Sequence, residues 1–462
     1  MDYGMGVFEI KTKKASFAIC ALIGLSFLWT GSEYMTWWLY KLPLHFDNTA
    51  VDLWSEVAGY LFQVAGILLF ALAIKKKPKL MNRNSFLIIV LADGVAATAA
   101  YFAGNAYTVL LFGMLMNLLH GMIGGYYLTR LTQVVPQQNR GLVFGIAYAF
   151  GSVGSWALSL FMQGSFLGSP YVFVAYAAMM IGIIAIDRIS LADGISDLEA
   201  AQTPHFDKLI IPLAAVVVVL LSVVKGLGFY FPSSDLSGGV ISAETTRAFY
   251  AVGLIAAGFL NDRNRKHGAI CCLCALIFPF LTFALRGAPD TGTVMWIAGY
   301  IFFGFFSVYR VVTFSDLAGK KDNLLYIAGF GLMFGRIGDA LGALIGISMC
   351  NTATTLIWLS AALLLLTFVV FFWYYNKVYA SLPVQDISIE DRIHEFEEAY
   401  HMTDRESEVF ELIVAGRSNA EIAANLYVSE STVKFHVRNV LKKTACPNRT
   451  ELTAKFRKTI LC

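Results

Sequence analysis

One stretch decides the fold class of most of this chain: Ile210-Ile-Pro-Leu-Ala-Ala-Val-Val-Val-Val-Leu-Leu-Ser-Val-Val-Lys-Gly-Leu227. It contains a single charged side chain, Lys225. About 20 mostly apolar residues are enough for a helix to cross the roughly 30 Å hydrocarbon core of a bilayer. The stretch and its flanks therefore predict a transmembrane helix over residues 209–231.

The whole chain of 462 residues has the composition that such a helix requires. It is 57% hydrophobic and 15% charged, and its mean hydropathy is +0.63. Soluble domains contain about 45–50% apolar and about 25% charged residues, so an ordinary soluble enzyme is excluded. The seven cysteines are scattered and fall mostly in apolar runs, so we expect no disulfide framework and no zinc site.

Twelve apolar segments predict an all-α architecture, with a twelve-helix transmembrane bundle in residues 1–377. Nineteen Lys and Arg residues flank the spans on one side, and only Lys41, Arg247 and Arg286 lie on the other. Because cytoplasmic loops are enriched in Lys and Arg, both termini are predicted to be cytoplasmic. The approximate limits of the spans are 16–39, 53–74, 85–104, 107–129, 141–163, 170–187, 209–231, 246–260, 268–285, 293–313, 324–347 and 353–376.

A weak repeat relates the two sets of six spans. Phe150-Gly-Ser-Val-Gly-Ser155 in the fifth span resembles Phe334-Gly-Arg-Ile-Gly-Asp339 in the eleventh, and Gly124–Arg130 matches Gly304–Arg310. The matching spans are six apart, so the repeat is parallel and predicts two six-helix halves. Glycine-rich membrane helices resemble one another in any case, and chance similarity stays open as the alternative.

The loop between the eighth and ninth spans reads Gly258-Phe-Leu-Asn-Asp262-Arg263-Asn-Arg265-Lys266. Together with twelve spans, a midpoint loop and cytoplasmic ends, it resembles the major facilitator superfamily. The resemblance implies that Gly258, Asp262, Arg263, Arg265 and Lys266 form a switch loop that links neighbouring helices. The equivalent loop after the second span lacks the pattern, which counts against active transport. An ordinary basic cytoplasmic loop is the alternative.

Residues 378–462 have the composition of a small soluble domain. Residues 378–401 are predicted to be a linker with a short amphipathic helix, and its apolar face is expected to pack on the domain at 402–462. That domain should contain four short helices: Thr403 with Glu406 forms a capping box pattern, Asn448 with Glu451 a related pair, and Ser418 and Ser429 are placed as N-caps. The predicted core consists of Val409, Leu412, Ile413, Ile422, Leu426, Val433, Val437 and Leu441.

Segments of this domain resemble the LuxR-type DNA-binding domain: Met402-Thr-Asp-Arg-Glu-Ser-Glu-Val409, Gly416-Arg-Ser-Asn-Ala-Glu-Ile-Ala423, Ser429-Glu-Ser-Thr-Val-Lys-Phe-His-Val437 and Asn448-Arg-Thr-Glu-Leu452. The resemblance covers about 402–458. It implies double-stranded DNA as a partner, a homodimer through helix 448–458, and a bacterial inner membrane around the spans. It assigns Lys434, Phe435 and Arg438 to the major groove and Thr432 to nearby phosphates. Helical spacing turns Lys442 outward on the same stripe. A solvated surface face is the alternative.

Ionisable groups deep in membrane spans are costly and often mark ligand sites. Glu33, His120, Lys225 and Arg336 lie on spans that line the central cavity in the facilitator family, so we expect a pocket for an unknown small polar or anionic molecule. Interhelical salt bridges that fix the packing are an equally open alternative, and for Asp93 the structural role is favoured.

The two parts together favour a membrane-embedded, one-component transcriptional regulator whose membrane domain senses a ligand. A facilitator-type transporter of a small organic solute with a regulatory DNA-binding tail is the alternative. No nucleophile constellation, phosphate loop or metal-ligand spacing occurs, so we expect no enzyme, no cofactor and no metal.

Overall fold

The computed structural model describes residues 2–162, 171–190, 209–233, 248–277, 289–320, 322–349, 353–380, 393, 396–397 and 399–461. The chain divides into two compact units, Met1–Tyr379 and Ala380–Cys462. The described residues form helices and no β-strand, which confirms the predicted all-α class.

The membrane unit is built from long apolar helices. A π-helical turn at Trp37–Lys41 follows the first α-helix. A second one, at Leu53–Gly59, connects the short second α-helix to the third. The α-helices are α1 (Asp2–Thr36), α2 (Asn48–Asp52), α3 (Tyr60–Lys76), α4 (Arg83–Phe102), α5 (Ala106–Val134), α6 (Arg140–Met162), α7 (Tyr171–Ser190), α8 (Ile210–Ser233), α9 (Tyr250–Arg263), α10 (Arg265–Ala275), α11 (Pro289–Ala318), α12 (Phe330–Met349) and α13 (Ala353–Tyr375).

The predicted count of twelve spans is not reproduced in the described part of the chain. There, 10 helices are long and apolar enough to cross a membrane. The predicted span at 246–260 overlaps α9, which has 14 residues, and the predicted span at 268–285 overlaps α10, which has 11. At about 1.5 Å per residue, α9 is too short to cross about 30 Å of hydrocarbon. Residues 278–285 of the other span lie outside the described residues.

The same helix pairs pack together in both halves of the membrane unit. α1 packs along α6, and six spans later α8 packs along α12. α3 packs along α5, as α9 does along α11. Contacts between the halves are also paired, since α6 meets α9 and α3 meets α12. This arrangement has the six-span period that the sequence repeat predicts.

Glycines allow the closest of these approaches. A Cβ atom at Gly253 would collide with the carbonyl oxygen of Ile301, and one at Gly66 would collide with that of Leu118. In lipid, helix association depends on such close packing, because lipid tails remove the hydrophobic driving force between apolar helices. The two halves therefore use small residues at equivalent interfaces, α9 with α11 and α3 with α5.

The second unit contains α14 (Asp404–Val414), α15 (Asn419–Leu426), α16 (Glu430–Lys443) and α17 (Arg449–Leu461). Of the predicted core, Val409, Ile413, Ile422 and Val433 are buried, while Leu412, Leu426, Val437 and Leu441 are partly buried against them. The linker contributes Phe396, whose ring stacks on Phe410 with centroids 5.0 Å apart. This small unit therefore has an apolar core of its own.

Candidate functional site

Helix α16 presents a stripe of exposed side chains. Its buried positions are Val433 and Val440, with Val437 and Leu441 partly buried. Because helical neighbours recur every three or four residues, the opposite face points to solvent. That exposed face carries all five residues predicted to bind DNA: Thr432, Lys434, Phe435, Arg438 and Lys442.

The stripe combines cations with one large apolar ring. Phe435 is 60% exposed, which is unusual for a phenylalanine in a small soluble domain. Lys434 pairs with Glu430 on the same helix at 3.2 Å, a surface contact that is weak in water. Lys and Arg suit phosphates and guanine edges, and an aromatic ring suits a thymine methyl group. The exposed face of α16 can thus contact a DNA major groove.

The turn before α16 is held by local capping. Ser429 Oγ accepts a hydrogen bond from Thr432 N at 3.2 Å, and Ser418 forms a capping box with Glu421 at the start of α15. Between them Tyr427 ends α15 in the left-handed region, at φ 53°. Two short helices joined by such a capped turn are the pattern of a helix-turn-helix.

Lys443 fixes the C-terminal end of α16 to the first helix of the domain. Its Nζ donates to Glu406 Oε2 at 2.6 Å and to the His401 carbonyl at 2.7 Å. Glu406 also accepts from Thr403 N at 3.0 Å, as the capping box predicts. Desolvation raises the pKa of Glu406, but the hydrogen bonds from Lys443 and Thr403 outweigh it and hold that pKa below its usual value of 4.5.

Replacing Glu406 with glutamine should lower the free energy of unfolding of residues 380–462 by about 1.5–3 kcal/mol at neutral pH, the range for hydrogen bonds to charged groups. A carboxylate with a depressed pKa stabilises the fold above its unfolded pKa, and this stabilisation disappears as the pH falls through the folded value. The difference between wild type and Glu406→Gln should therefore shrink below about pH 4.5. Urea unfolding at a series of pH values measures this difference. Glu408→Gln is the control, because Glu408 forms an exposed ion pair with Arg405.

The four residues predicted to form one ligand pocket lie in two separate charge clusters. In the first, Glu33 of α1 and Asp93 of α4 flank His120 of α5. His120 Nε2 lies 3.2 Å from Glu33 Oε2 and 3.3 Å from Asp93 Oδ2, and all three residues are buried. The structure thus brings Asp93 to the predicted pocket residues. We call this group the acidic triad.

The second cluster surrounds Asp339 of α12. Its carboxylate lies 2.8 Å from Lys225 Nζ, 3.3 Å from Arg310 Nη1 and 4.0 Å from Arg336 Nη1. Arg336 also stacks 4.4 Å from the ring of Tyr60, which belongs to the first half. Among the described residues, neither Arg310 Nε nor Arg336 Nε has a hydrogen-bond acceptor. This basic cluster therefore holds more positive charge than its own carboxylate neutralises.

The predicted switch loop joins the two halves of the membrane unit. Asp262 accepts hydrogen bonds from the backbone N–H groups of Gly141 at 2.8 Å and Leu142 at 2.6 Å, which are the first free donors of α6. Gly258 makes this approach possible, because a Cβ atom there would lie 2.6 Å from the Gly141 carbonyl oxygen. The negative side chain thus sits at the positive end of a helix.

Arg265 connects Asp262 to a second ion pair, formed by Asp316 and Arg140. It bonds Asp262 at 2.8 Å and Asp316 of α11 at 2.7 Å, and Asp316 also meets Arg140 at 3.3 Å. Of the remaining predicted loop residues, Arg263 is exposed, and Lys266 donates its backbone N–H to the Asn264 cap. The four charged groups form one network across the interface of α6, α9, α10 and α11.

Five members of these groups are absent from the sequence-based assignment of sites: Asp93, Arg140, Arg310, Asp316 and Asp339. An ionisable side chain inside an apolar span is the signal that could have singled out Asp93, Arg310 and Asp339. Arg140 and Asp316 lie outside the predicted spans and carry no such signal. The nearest partner of each lies on another helix, so sequence spacing carries no information about which groups meet.

The comparisons with known proteins divide at the same place as the two units. The family model "Bacterial regulatory proteins, luxR family" matches residues 401–456. The spore germination protein GerE of Bacillus subtilis is 40% identical over 62 residues, which cover 13% of this chain and 84% of that protein. The nitrate/nitrite response regulator protein homolog of Haemophilus influenzae is 40% identical over 81 residues, 18% of this chain and 38% of that regulator. This chain thus spans well under half of the latter protein's length.

The membrane unit resembles solved transporter structures. The human organic anion transporter MFSD10 (TETRAN) aligns with a TM-score of 0.57 and 13% identity, over 78% of this chain and 99% of that one. A variant of the Escherichia coli fucose:proton symporter FucP aligns with a TM-score of 0.57 and 14% identity, over 78% of this chain and 97% of that one. Identities this low establish a shared facilitator-type fold and nothing about transport.

Proposed function

Through its C-terminal domain this chain belongs to the luxR family of bacterial regulatory proteins, and on that premise we propose that it is a membrane-embedded, one-component transcriptional regulator. In this proposal residues 1–377 are a sensor domain, 378–401 a linker and 402–462 the DNA-binding domain. The spans lie in the bacterial inner membrane with both termini in the cytoplasm. We propose no catalytic step.

One observation carries the proposal: the exposed stripe of α16 stands in the same chain as a facilitator-type helical bundle. Thr432, Lys434, Phe435, Arg438 and Lys442 would read and hold the DNA. Lys and Arg on phosphates supply affinity without sequence information, whereas contacts to base edges supply specificity. Two copies paired through α17 would match a DNA site with two-fold symmetry.

The basic cluster supports a small organic anion as the sensed ligand. Lys225, Arg310 and Arg336 oppose a single carboxylate, Asp339, so the cluster carries a formal charge of about +2 inside the membrane unit. Buried charges require partners, and a ligand carboxylate would supply one. Bidentate contact with a guanidinium is the geometry that carboxylates favour.

The switch-loop network supports a two-state sensor. Asp262, Arg265, Arg140 and Asp316 hold the two halves together at one end of the bundle. A ligand shifts the equilibrium between the two conformations of such a sensor only by its difference in affinity for them. A hundredfold preference would supply about 2.7 kcal/mol, enough to invert a modest bias toward the state that does not bind DNA.

A transcription profile with and without the gene tests this function. We expect a small set of transcripts to change, and the promoter of one of them to drive a reporter that responds to some member of a panel of organic acids. Arg336→Ala should abolish the response while promoter binding by the tail persists. Arg188→Ala removes the same charge from an exposed position outside the basic cluster and the switch loop, and it should leave the response intact. Unchanged transcript levels after deletion of the gene would refute the proposal.

A transporter with a regulatory tail is the second candidate, because the same network suits alternating access. Membrane vesicles that contain the protein distinguish the two. Negligible uptake of the reporter-active acid supports the sensor, whereas robust saturable flux supports transport.

A further inference from the structure

The acidic triad brings three potential metal ligands together from three helices. Glu33 of α1, Asp93 of α4 and His120 of α5 each offer one ligand atom, and these atoms all lie within 4.8 Å of one another. The residues are 3%, 0% and 9% exposed. A buried constellation of this kind is expensive inside a membrane domain, so its groups need a compensating charge.

The spacing of the triad fits a small ion. Zinc binds histidine nitrogen at about 2.0–2.1 Å and carboxylate oxygen at about 2.0–2.2 Å, usually in a tetrahedron whose corners are then about 3.3–3.5 Å apart. The two distances from His120 Nε2, 3.2 Å to Glu33 and 3.3 Å to Asp93, are close to such an edge.

Hydrogen bonding alone leaves the triad incomplete. His120 Nε2 can donate one proton at most, and only its contact with Glu33 has hydrogen-bond geometry. Within the part of the chain that the structure describes, neither carboxylate oxygen of Asp93 has a hydrogen-bond donor, although the residue is fully buried. Its Oδ2 nevertheless lies 3.3 Å from His120 Nε2, within ion-pair distance. An ion bound between the two atoms would coordinate the Asp93 carboxylate, which no hydrogen bond from the described residues satisfies.

We propose that Glu33, Asp93 and His120 bind a divalent transition-metal cation, with Zn²⁺ as the best match. Two ionised carboxylates and a neutral imidazole carry a charge of −2, which one divalent cation cancels. One nitrogen and two oxygen ligands suit a borderline cation such as Zn²⁺ better than Ca²⁺, which takes about 6–8 oxygen ligands. Three protein ligands leave a fourth position open, as in zinc sites that also bind water or a solute.

A small cavity of about 10 Å³ borders the triad at Glu33. Thr36, Lys41, Tyr101 and Tyr176 also line it. Lys41 lies beyond the C-terminal end of α1, on the side that the charge distribution predicts to be external. Tyr176 OH contacts Thr36 Oγ1 at 2.6 Å, so polar groups line the route to the triad. The cation would therefore enter from outside the cell.

The proposal is tested on the full-length protein, purified in detergent, stripped with a chelator and titrated with Zn²⁺ or Co²⁺. Wild type should bind one more Zn²⁺ per chain than Asp93→Asn or Glu33→Gln, and Co²⁺ should produce a saturable visible absorption band that both variants lack. Losing a residue that only supports a ligand weakens metal binding about 10–100-fold. Losing a ligand itself should weaken it by at least about 100-fold.

Asp52→Asn is the matched control, because it makes the same change at a partly buried carboxylate of α2 outside the triad. It should bind Zn²⁺ as wild type does. Size-exclusion chromatography and circular dichroism verify that each variant is folded. Wild type decides the question even if the variants misfold: without a saturable Co²⁺ band and a stoichiometric Zn²⁺ site, protons neutralise the triad and the proposal is wrong. The result is independent of promoter binding, so it leaves the proposed regulatory function untouched.

Discussion

Replacing Lys434 and Arg438 together with alanine should abolish retardation of promoter DNA by this protein at physiological salt. Both side chains lie on the exposed face of α16, opposite the buried Val433 and Val440. A side chain that reads a base edge contributes about 1–3 kcal/mol, so the pair should cost about 2–6 kcal/mol, or roughly 30-fold to more than 10,000-fold in affinity. Electrophoretic mobility shifts with increasing salt measure the loss.

The two single variants separate affinity from specificity. A contact with phosphate lowers binding uniformly across sequences and reduces the salt slope by about 1, whereas a contact with a base relaxes specificity at one position. Arg405→Ala is the control, since Arg405 is an exposed arginine of α14 paired with Glu408. If the double variant retards promoter DNA as strongly as wild type, the assignment of α16 to the groove is wrong.

Replacing Asp339 with asparagine should destabilise the membrane unit more than any other single neutralisation of a carboxylate described above. Asp339 is 8% exposed and is the carboxylate that Lys225, Arg310 and Arg336 share. Removing one member of a buried ion pair typically costs about 3–5 kcal/mol, because the remaining charge stays buried without its partner. Thermal unfolding in detergent should show a clearly lower midpoint than for wild type.

A compensating variant tests the cause of that loss. Asp339→Asn combined with Lys225→Met removes one charge of each sign, so the double variant should be more stable than Asp339→Asn alone. Groups in one network couple by about 0.5–3 kcal/mol. Asp52→Asn, which neutralises a carboxylate outside the cluster, should unfold near the wild-type temperature. An Asp339→Asn midpoint equal to that of Asp52→Asn would contradict the electrostatic account.

The DNA-binding domain is predictable because its signals are local. A capping box such as Thr403 with Glu406 joins residues three apart, and the outward stripe of α16 follows from helical spacing alone. The core is predicted less completely: Val440, Phe410 and Phe396 are buried beyond the expected positions. Phe396 comes from the linker, and its partner Phe410 lies on another helix, a pairing that periodicity cannot report.

In the membrane unit, local sequence signals predict the positions of the spans but not all of their boundaries. Apolar length identifies the spans, but the segment at 246–260 forms the 14-residue helix α9, and the segment at 268–285 is described only as far as residue 277. Length measures only whether a helix could cross a bilayer; it does not show where a chain breaks. The Asn264 cap between α9 and α10 starts a new helix within an otherwise apolar and basic region.

The sequence by itself determined the all-helical class, the division near residue 378 and the outward-facing side chains of α16, because each depends on residues close together in the chain. Only the tertiary structure decided the grouping of the buried charges. The sequence predicts Glu33, His120, Lys225 and Arg336 around one pocket, yet they lie in two clusters, one with Asp93 and the other with Arg310 and Asp339. An isolated charge in an apolar span reveals that it needs a partner, but helix packing decides which partner it meets.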